Sequence, residues 1–435
     1  MRYRAHDVAT ATGGRLVGPD VDVEGASFDS RTLRQGQLFV PLVTERDGHE
    51  YIEHALAAGT PSYLTARGHR GGTAVEVDDT LAAFMALARY MRRRLDGPVV
   101  GVTGSVGKTS TKDLARAALA PSRRTWANER SFNNDFGLPA TILNAPDDTE
   151  VLVVEMGMRG HGEITRLAEV AVPTIGVVTR VAEAHSERVG GIEGVARAKG
   201  ELIEALPADG VAILNADDPR VRSMRTRSEA TVVLYGEAGD ADVRVSAVRV
   251  DEHARARFRV DTPWGGTDVV LAVAGRHMVG NAAAALAIVG AAGGDVLAGA
   301  QALAEAGISA MRMHLHHTPS GAVVLDDSYN ANPTSMRAAI DALVDLPARR
   351  RVAVLGTMAE ITDAVQAHRD VAEYATDRGI EVIAVGTDLY QVQTAVGTVD
   401  EAADVLGSLA RGDAVLVKGS RVVGLDRLAA MLLGG

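Results

Sequence analysis

Cysteine is absent from this chain of 435 residues, which excludes disulfides, thiolate catalysis and cysteine metal sites. It has no run of eighteen or more apolar residues, so no spanning helix is expected. The opening MRYRAHDVATATGG lacks the apolar core of a signal peptide. Net positive charge is also missing: at -11 the chain has no basic surplus with which to displace counterions from nucleic acid. These absences give the expectation of a cytoplasmic protein that neither enters a membrane nor binds nucleic acid. Lysine is scarce too. Only Lys108, Lys112, Lys199 and Lys418 occur, against forty-one arginines (45 basic residues less four). They stand in TGSVGKTSTKDL, ARAKGEL and VLVKGSR. Arginine's planar fork cannot replace a compact, rotatable ammonium beside phosphates, nor serve readily as a nucleophilic amine.

What is present fits a soluble globular protein of several domains. Hydrophobic residues make up 46% and charged residues 23%, and the length suits two to four domains. Residues 1–83 read as a small α/β unit, with strands at Gln37–Leu42 and Ser62–Thr65 and a helix near Tyr51–Ala58. A connecting helix follows over Leu81–Leu95. Residues 84–310 carry apolar strands at Pro98–Thr103, Val151–Met156, Thr174–Thr179, Val211–Asn215 and Thr231–Tyr235. Alternating with helices, these predict a mainly parallel sheet. Between Asp242 and Val273 the period changes to two, with a turn at Thr262–Gly266, so an antiparallel hairpin should extend that sheet. Residues 311–435 repeat strand and helix in a doubly wound, Rossmann-like pattern.

The clearest motif is GPVVGVTGSVGKTSTKDL, a strand, a glycine loop, Lys-Thr-Ser and a helix. Gly104, Ser105, Val106 and Gly107 would bring backbone amides to phosphate oxygens at a helix start. Lys108 would neutralise the outer phosphates, and the Thr109 hydroxyl, beside Ser110, would ligate magnesium. The loop is shorter than the general phosphate-loop pattern, since Val102 stands where its first glycine would be. A glycine turn that merely opens a helix is the structural alternative.

With this loop the sequence resembles the Mur ligases, the ATP-dependent amide ligases of peptidoglycan precursor synthesis. Other supporting stretches are FDSRTLRQGQLFVPL with DGHEYIEHAL, SFNNDFGLPATIL, VVEMGMRGHGEI, ILNADDP, AGRHMVGNAAAA, LDDSYNANPTSMRAA, VLGTMAEI and LVKGSR, in that order. The resemblance implies ATP and two magnesium ions. Thr109 and Glu155 would serve one ion, and Glu155, His185 and Lys199 the other. Lys199 would act as a carbamate formed from CO2, which turns a cation into an oxygen ligand of the kind magnesium prefers. Each residue has a plainer alternative: Lys199, two from Arg197 and two from Glu201, would ordinarily belong to a charged helix face.

The same resemblance implies nucleotide contacts from Asn281, Arg312, Asp327, Tyr329 and Asn332. Arg312 would reach the γ-phosphate. Ser30, Arg31, Asp47, Gly48 and His49 would hold the uridine end of a UDP-sugar donor. Asn133 and Asn134 would face that donor near the phosphates. Lys418, Ser420 and Arg421 would serve the acceptor. Met278, Thr357 and the RVAEAHSE run around His185 depart from the family pattern. Within the resemblance, DDSYNANP and KGSR favour the member whose donor is UDP-N-acetylmuramoyl-tripeptide and whose acceptor is D-alanyl-D-alanine; a monomer is expected, though the sequence leaves the oligomeric state open. A related ligase with another peptide or amine, or an inactive nucleotide-binding regulator, stays open at this point, as does the third residue of the peptide.

Overall fold

The computed structural model describes residues 1–128, 132–183 and 189–434. Three α/β layers follow one another along the chain, as expected. The first sheet orders its strands Arg15–Val17, Thr73–Glu76, Ser62–Thr65, Leu38–Phe39 and Ala26–Ser27. Only Leu38–Phe39 of the expected 37–42 strand is paired. Pro41 has no amide hydrogen to give a ladder, and its carbonyl instead accepts from Thr80 Oγ1. The helix Thr80–Arg92 begins under a cap in which Asp79 accepts the Leu81 and Ala82 amides. It runs across the expected boundary at 83/84 and packs on elements from both sides of it.

The central sheet has nine strands, in the order Gly265–Ala274, Arg255–Thr262, Val243–Val250, Thr231–Gly236, Val211–Asn215, Ile175–Val178, Val99–Thr103, Val151–Glu155 and Thr125–Ala127. From Thr125–Ala127 through Val243–Val250 every pairing is parallel, and the last two are antiparallel. The expected hairpin is therefore the end of a three-stranded meander that turns at Pro263–Trp264. Val99–Thr103 and Val151–Glu155 are buried along their whole length because helices cover both faces. On one face lies the alanine-rich helix Met278–Ala291, whose small side chains at Ala282–Ala285 let it sit against the phosphate-loop helix Lys108–Leu119.

The third sheet is ordered His314–His317, Val323–Asp326, Asp413–Lys418, Arg350–Gly356, Glu381–Val385 and Thr394–Val396. All of its pairings are parallel except the first. The edge strand His314–His317 has too little apolar character to be read from sequence. Carboxyl ends of the parallel strands in both larger sheets carry the polar loops described next, where open α/β sheets bind ligands.

Candidate active site

Gly104 and Gly107 shape the loop. Gly104 has φ +151, and a Cβ there would come within 1.9 Å of Thr179 Oγ1. Gly107 has φ +85, and a Cβ there would come within 2.5 Å of Asn281 Oδ1. Any other residue at either place meets both strain and a clash. The loop is tied to the neighbouring strand end: Ser105 Oγ donates to the Ala182 carbonyl at 2.8 Å and accepts its amide at 2.9 Å. Thr179 Oγ1 donates to the Val106 carbonyl at 2.6 Å.

Inside this frame Thr109 Oγ1 donates to Glu155 Oε2 at 2.7 Å, and Asn133 Nδ2 donates to Glu155 Oε1 at 2.6 Å. Glu155 is 1% exposed and ends its strand facing the loop. Lys108 Nζ donates to the Gly104 carbonyl at 2.8 Å. Desolvation pulls the Lys108 amine below its ordinary pKa; Glu155 opposes this and Arg312 adds to it. Lys199 lies on the buried face of the helix Gly191–Glu204, while Arg197 is exposed, so the charged-face alternative does not hold. Desolvation holds the Lys199 amine well below its usual value; Lys108 adds to the lowering and Glu155 offsets part of it. Lys108, Lys199 and Glu155 are thus near enough for each charge to act on the others. His185 lies outside the described residues. Among those described, no three His, Cys, Asp or Glu side chains gather as a metal set.

The third sheet faces this cluster through Arg312. Its guanidinium lies 4.2 Å from the centre of the Tyr329 ring and is near enough to Lys108 to depress its pKa. Asp327 Oδ1 accepts the Met313 amide at 3.2 Å, and Asp327 Oδ2 accepts from Lys418. Lys418 is 1% exposed and also donates to the Asn330 carbonyl at 2.9 Å. The two motifs DDSYNANP and KGSR thus meet in one ion pair. Asn332 caps the helix Pro333–Asp345, its Oδ1 accepting the Ser335 amide at 2.9 Å. Ser420 Oγ accepts the Ala359 amide at 3.0 Å, and Arg421 contacts Met311 Sδ and Asp426. Asn281 Nδ2 donates to Met278 Sδ at 3.4 Å, beside the loop.

The first-layer residues are placed mainly by one another. Arg31 forks onto Asp29 at 2.9 and 2.7 Å and lowers its pKa; Ser30 lies between them. Asp47 accepts the His49 amide at 3.0 Å and contacts Nδ1 of that ring at 2.6 Å; these bonds hold its carboxyl low. His49 Nε2 accepts the Ala66 amide at 3.0 Å, and a Cβ on Gly48 would lie 2.6 Å from the Leu42 carbonyl. Asn134 Oδ1 accepts the Phe136 and Gly137 amides, opening the helix Gly137–Leu143. Phe28, next to the Ser30–Arg31 turn, meets Phe132 edge-on at 5.9 Å and Phe136 at 6.3 Å. That aromatic contact joins the first layer to Asn133 and was not foreseen from sequence. Nor was Asn128, whose Oδ1 accepts the Glu155 amide at 3.0 Å.

The profile of the Mur ligase middle domain matches residues 102–289, and that of the Mur ligase, glutamate ligase domain, matches residues 311–421. A UDP-N-acetylmuramoyl-tripeptide--D-alanyl-D-alanine ligase from Mycobacterium tuberculosis is 37% identical over 93% of this chain and 91% of its own length. The crystal structure of MurF from Acinetobacter baumannii superposes with a TM-score of 0.91 at 27% identity, covering 100% of this chain and 99% of that one. MurF from Thermotoga maritima, in complex with ADP, gives a TM-score of 0.83 at 26% identity over 95% and 97%. A phosphate loop at a strand end, its facing arginine and this likeness along nearly all of its length lead to one conclusion: the chain belongs to the Mur ligase family.

Proposed function

We propose that the chain is the ATP-dependent ligase that joins D-alanyl-D-alanine to UDP-N-acetylmuramoyl-tripeptide in the cytoplasm, working as a monomer. The domain limits 1–83, 84–310 and 311–435 belong to this reading, as do the residue roles. The observation that carries it is the grouping of buried Glu155 and Lys199 with half-buried Lys108 at the phosphate loop, with Arg312 near Lys108 from the next layer. Two amines near one carboxylate, with a guanidinium near the first amine, suit a site that receives the γ-phosphate of ATP and a donor carboxylate together.

The donor's terminal carboxylate oxygen attacks the γ-phosphorus, the bond to the ADP oxygen breaks, and an acyl phosphate forms. The amine of D-alanyl-D-alanine then attacks the acyl carbon, loses a proton, and phosphate leaves. Lys108 and Arg312 neutralise the phosphate oxygens, and Asn133 orients Glu155 and the donor. The chain needs little covalent chemistry of its own. The Thr109 hydroxyl and Glu155 carboxylate, 2.7 Å apart, are hard oxygen donors that fit magnesium. Lys199, with its amine held toward the neutral, nucleophilic form, fits a carbamate made from CO2, which with His185 and Glu155 would complete a second magnesium site. Magnesium supplies positive charge against the phosphoryl oxygens when it is bound. Asn281, Asp327 and Tyr329 bound the adenosine side, with Asn332 shaping the turn. Ser30, Arg31, Asp47 and His49 take the uridine end. Ser420 and Arg421 line the acceptor approach, where Lys418 fixes Asp327.

The test is ADP release measured against a panel of UDP-muramoyl peptides and amines. Turnover that requires both the tripeptide and D-alanyl-D-alanine is expected. Turnover with a different pair alone, or none with any, overturns the assignment.

A further inference from the structure

The phosphate-loop helix carries a second lysine that the reaction above does not use. Lys112 is 1% exposed; its Nζ donates to the Asn128 carbonyl at 2.7 Å and lies 3.1 Å from Asp113 Oδ1. Consecutive helix residues do not ordinarily face each other, yet both side chains here are turned inward. Asp113 Oδ2 accepts both the amide and the hydroxyl of Ser309, at 2.8 and 2.7 Å, across 196 residues of sequence. At the other end Asn128 Oδ1 accepts the amide of Glu155. One bonded chain therefore runs from Glu155 through Asn128, Lys112 and Asp113 to Ser309.

Ser309 opens the segment that delivers Arg312. Met311 and Met313, on either side of Arg312, both have left-handed backbones, with φ +60 and +52. Side chains rarely adopt that conformation unless their surroundings impose it. The Tyr329 amide donates to the Met311 carbonyl at 3.3 Å, and the Met313 amide to Asp327, so the far end is held by the third layer. The near end is held by Asp113. A buried ion pair seldom stabilises a fold more than apolar residues of the same size would, because desolvation offsets the attraction. Orientation is what this one supplies.

We propose that Asp113, seated by Lys112, is a positioning residue: it fixes the entry to the 309–313 segment on the phosphate-loop helix. Arg312 and Glu155 are thereby held in register across the site. The kinetic part of the test rests on the ligase reading above; the exchange part does not.

Asp113→Asn keeps shape and an acceptor but loses the charge, while Ser309→Ala removes only the linker hydroxyl. In Asp113→Asn, kcat should fall about tenfold to a hundredfold, the scale of a small misplacement, with the KM for donor unchanged. Ser309→Ala should show the same pattern, weaker, and carries the test if Asp113→Asn does not fold. Combined with Arg312→Lys, the losses should be less than multiplicative, since a positioning residue has nothing to add once its target is altered. Multiplicative losses, or a kcat equal to wild type in both variants, overturn the proposal. Amide hydrogen exchange over 309–313 with ADP bound should quicken in Asp113→Asn. Unchanged exchange overturns it even where the wild type shows no ligation, a result that by itself would sink only the ligase reading.

Discussion

Glu155→Gln is the sharpest perturbation of the cluster, because it changes charge and almost nothing else. Both carboxylate oxygens accept a hydrogen bond: from the Thr109 hydroxyl at 2.7 Å, which could accept only by turning its hydrogen elsewhere, and from the Asn133 NH2 at 2.6 Å, which can only donate. A glutamine must aim its own NH2 at one of them, leaving a buried donor unpaired at about 1–3 kcal/mol. Lys108 and Lys199 lose the one neighbour that raises their pKa, so both amines shift further toward the neutral form. The charge that a phosphoryl transfer needs to see is then misassembled, and loss of one such electrostatic contribution costs about 100- to 1000-fold in kcat. ADP release at saturating substrates measures this, with circular dichroism confirming the fold. A kcat within a factor of about two of wild type, far inside that range, would refute the reasoning.

Asn133→Ala removes the outer support of Glu155 and should lower metal affinity or activity by about 10- to 100-fold, measured by magnesium titration of turnover. Gly107→Ala puts a methyl 2.5 Å from Asn281 Oδ1 at φ +85 and should weaken ADP binding by tenfold or so, as about 1–2 kcal/mol of backbone strain implies; calorimetry reads it. Lys199→Met bears on pH. The folded Lys199 amine has a lowered pKa, so between that value and the ordinary lysine value the unfolded chain binds more protons, and stability rises with pH. In metal-free, CO2-free buffer, wild type should therefore gain more thermal stability than Lys199→Met as pH rises from neutral toward 10; parallel curves would contradict the buried amine.

Much of this was legible in the sequence because it is local. Apolar runs placed Ser62–Thr65 and Val211–Asn215 at their observed limits. The strand, glycine loop and Lys-Thr located the phosphate site, since backbone approach demands glycine at particular positions. What escaped depends on partners distant in sequence. Lys112 received no role from the sequence, because its partners Asn128 and Asp113 meet it only in the fold. Lys418 was expected to serve the acceptor, and its ion pair with Asp327, 91 residues earlier, is not visible in either motif alone. Strand His314–His317 is polar and exists because Val323–Asp326 offers it an edge. The aromatic contact of Phe28 with Phe132 joins two layers that share no local pattern.

The central claim is that a carboxylate is activated by phosphoryl transfer at the Lys108 loop before an amine displaces it. Donor carrying 18O in its terminal carboxylate tests this most directly, with the phosphate and the ligated product both analysed by mass spectrometry. The account predicts that one labelled oxygen moves to inorganic phosphate in each turnover and that the other stays in the new amide. Unlabelled phosphate accompanying labelled water would contradict it.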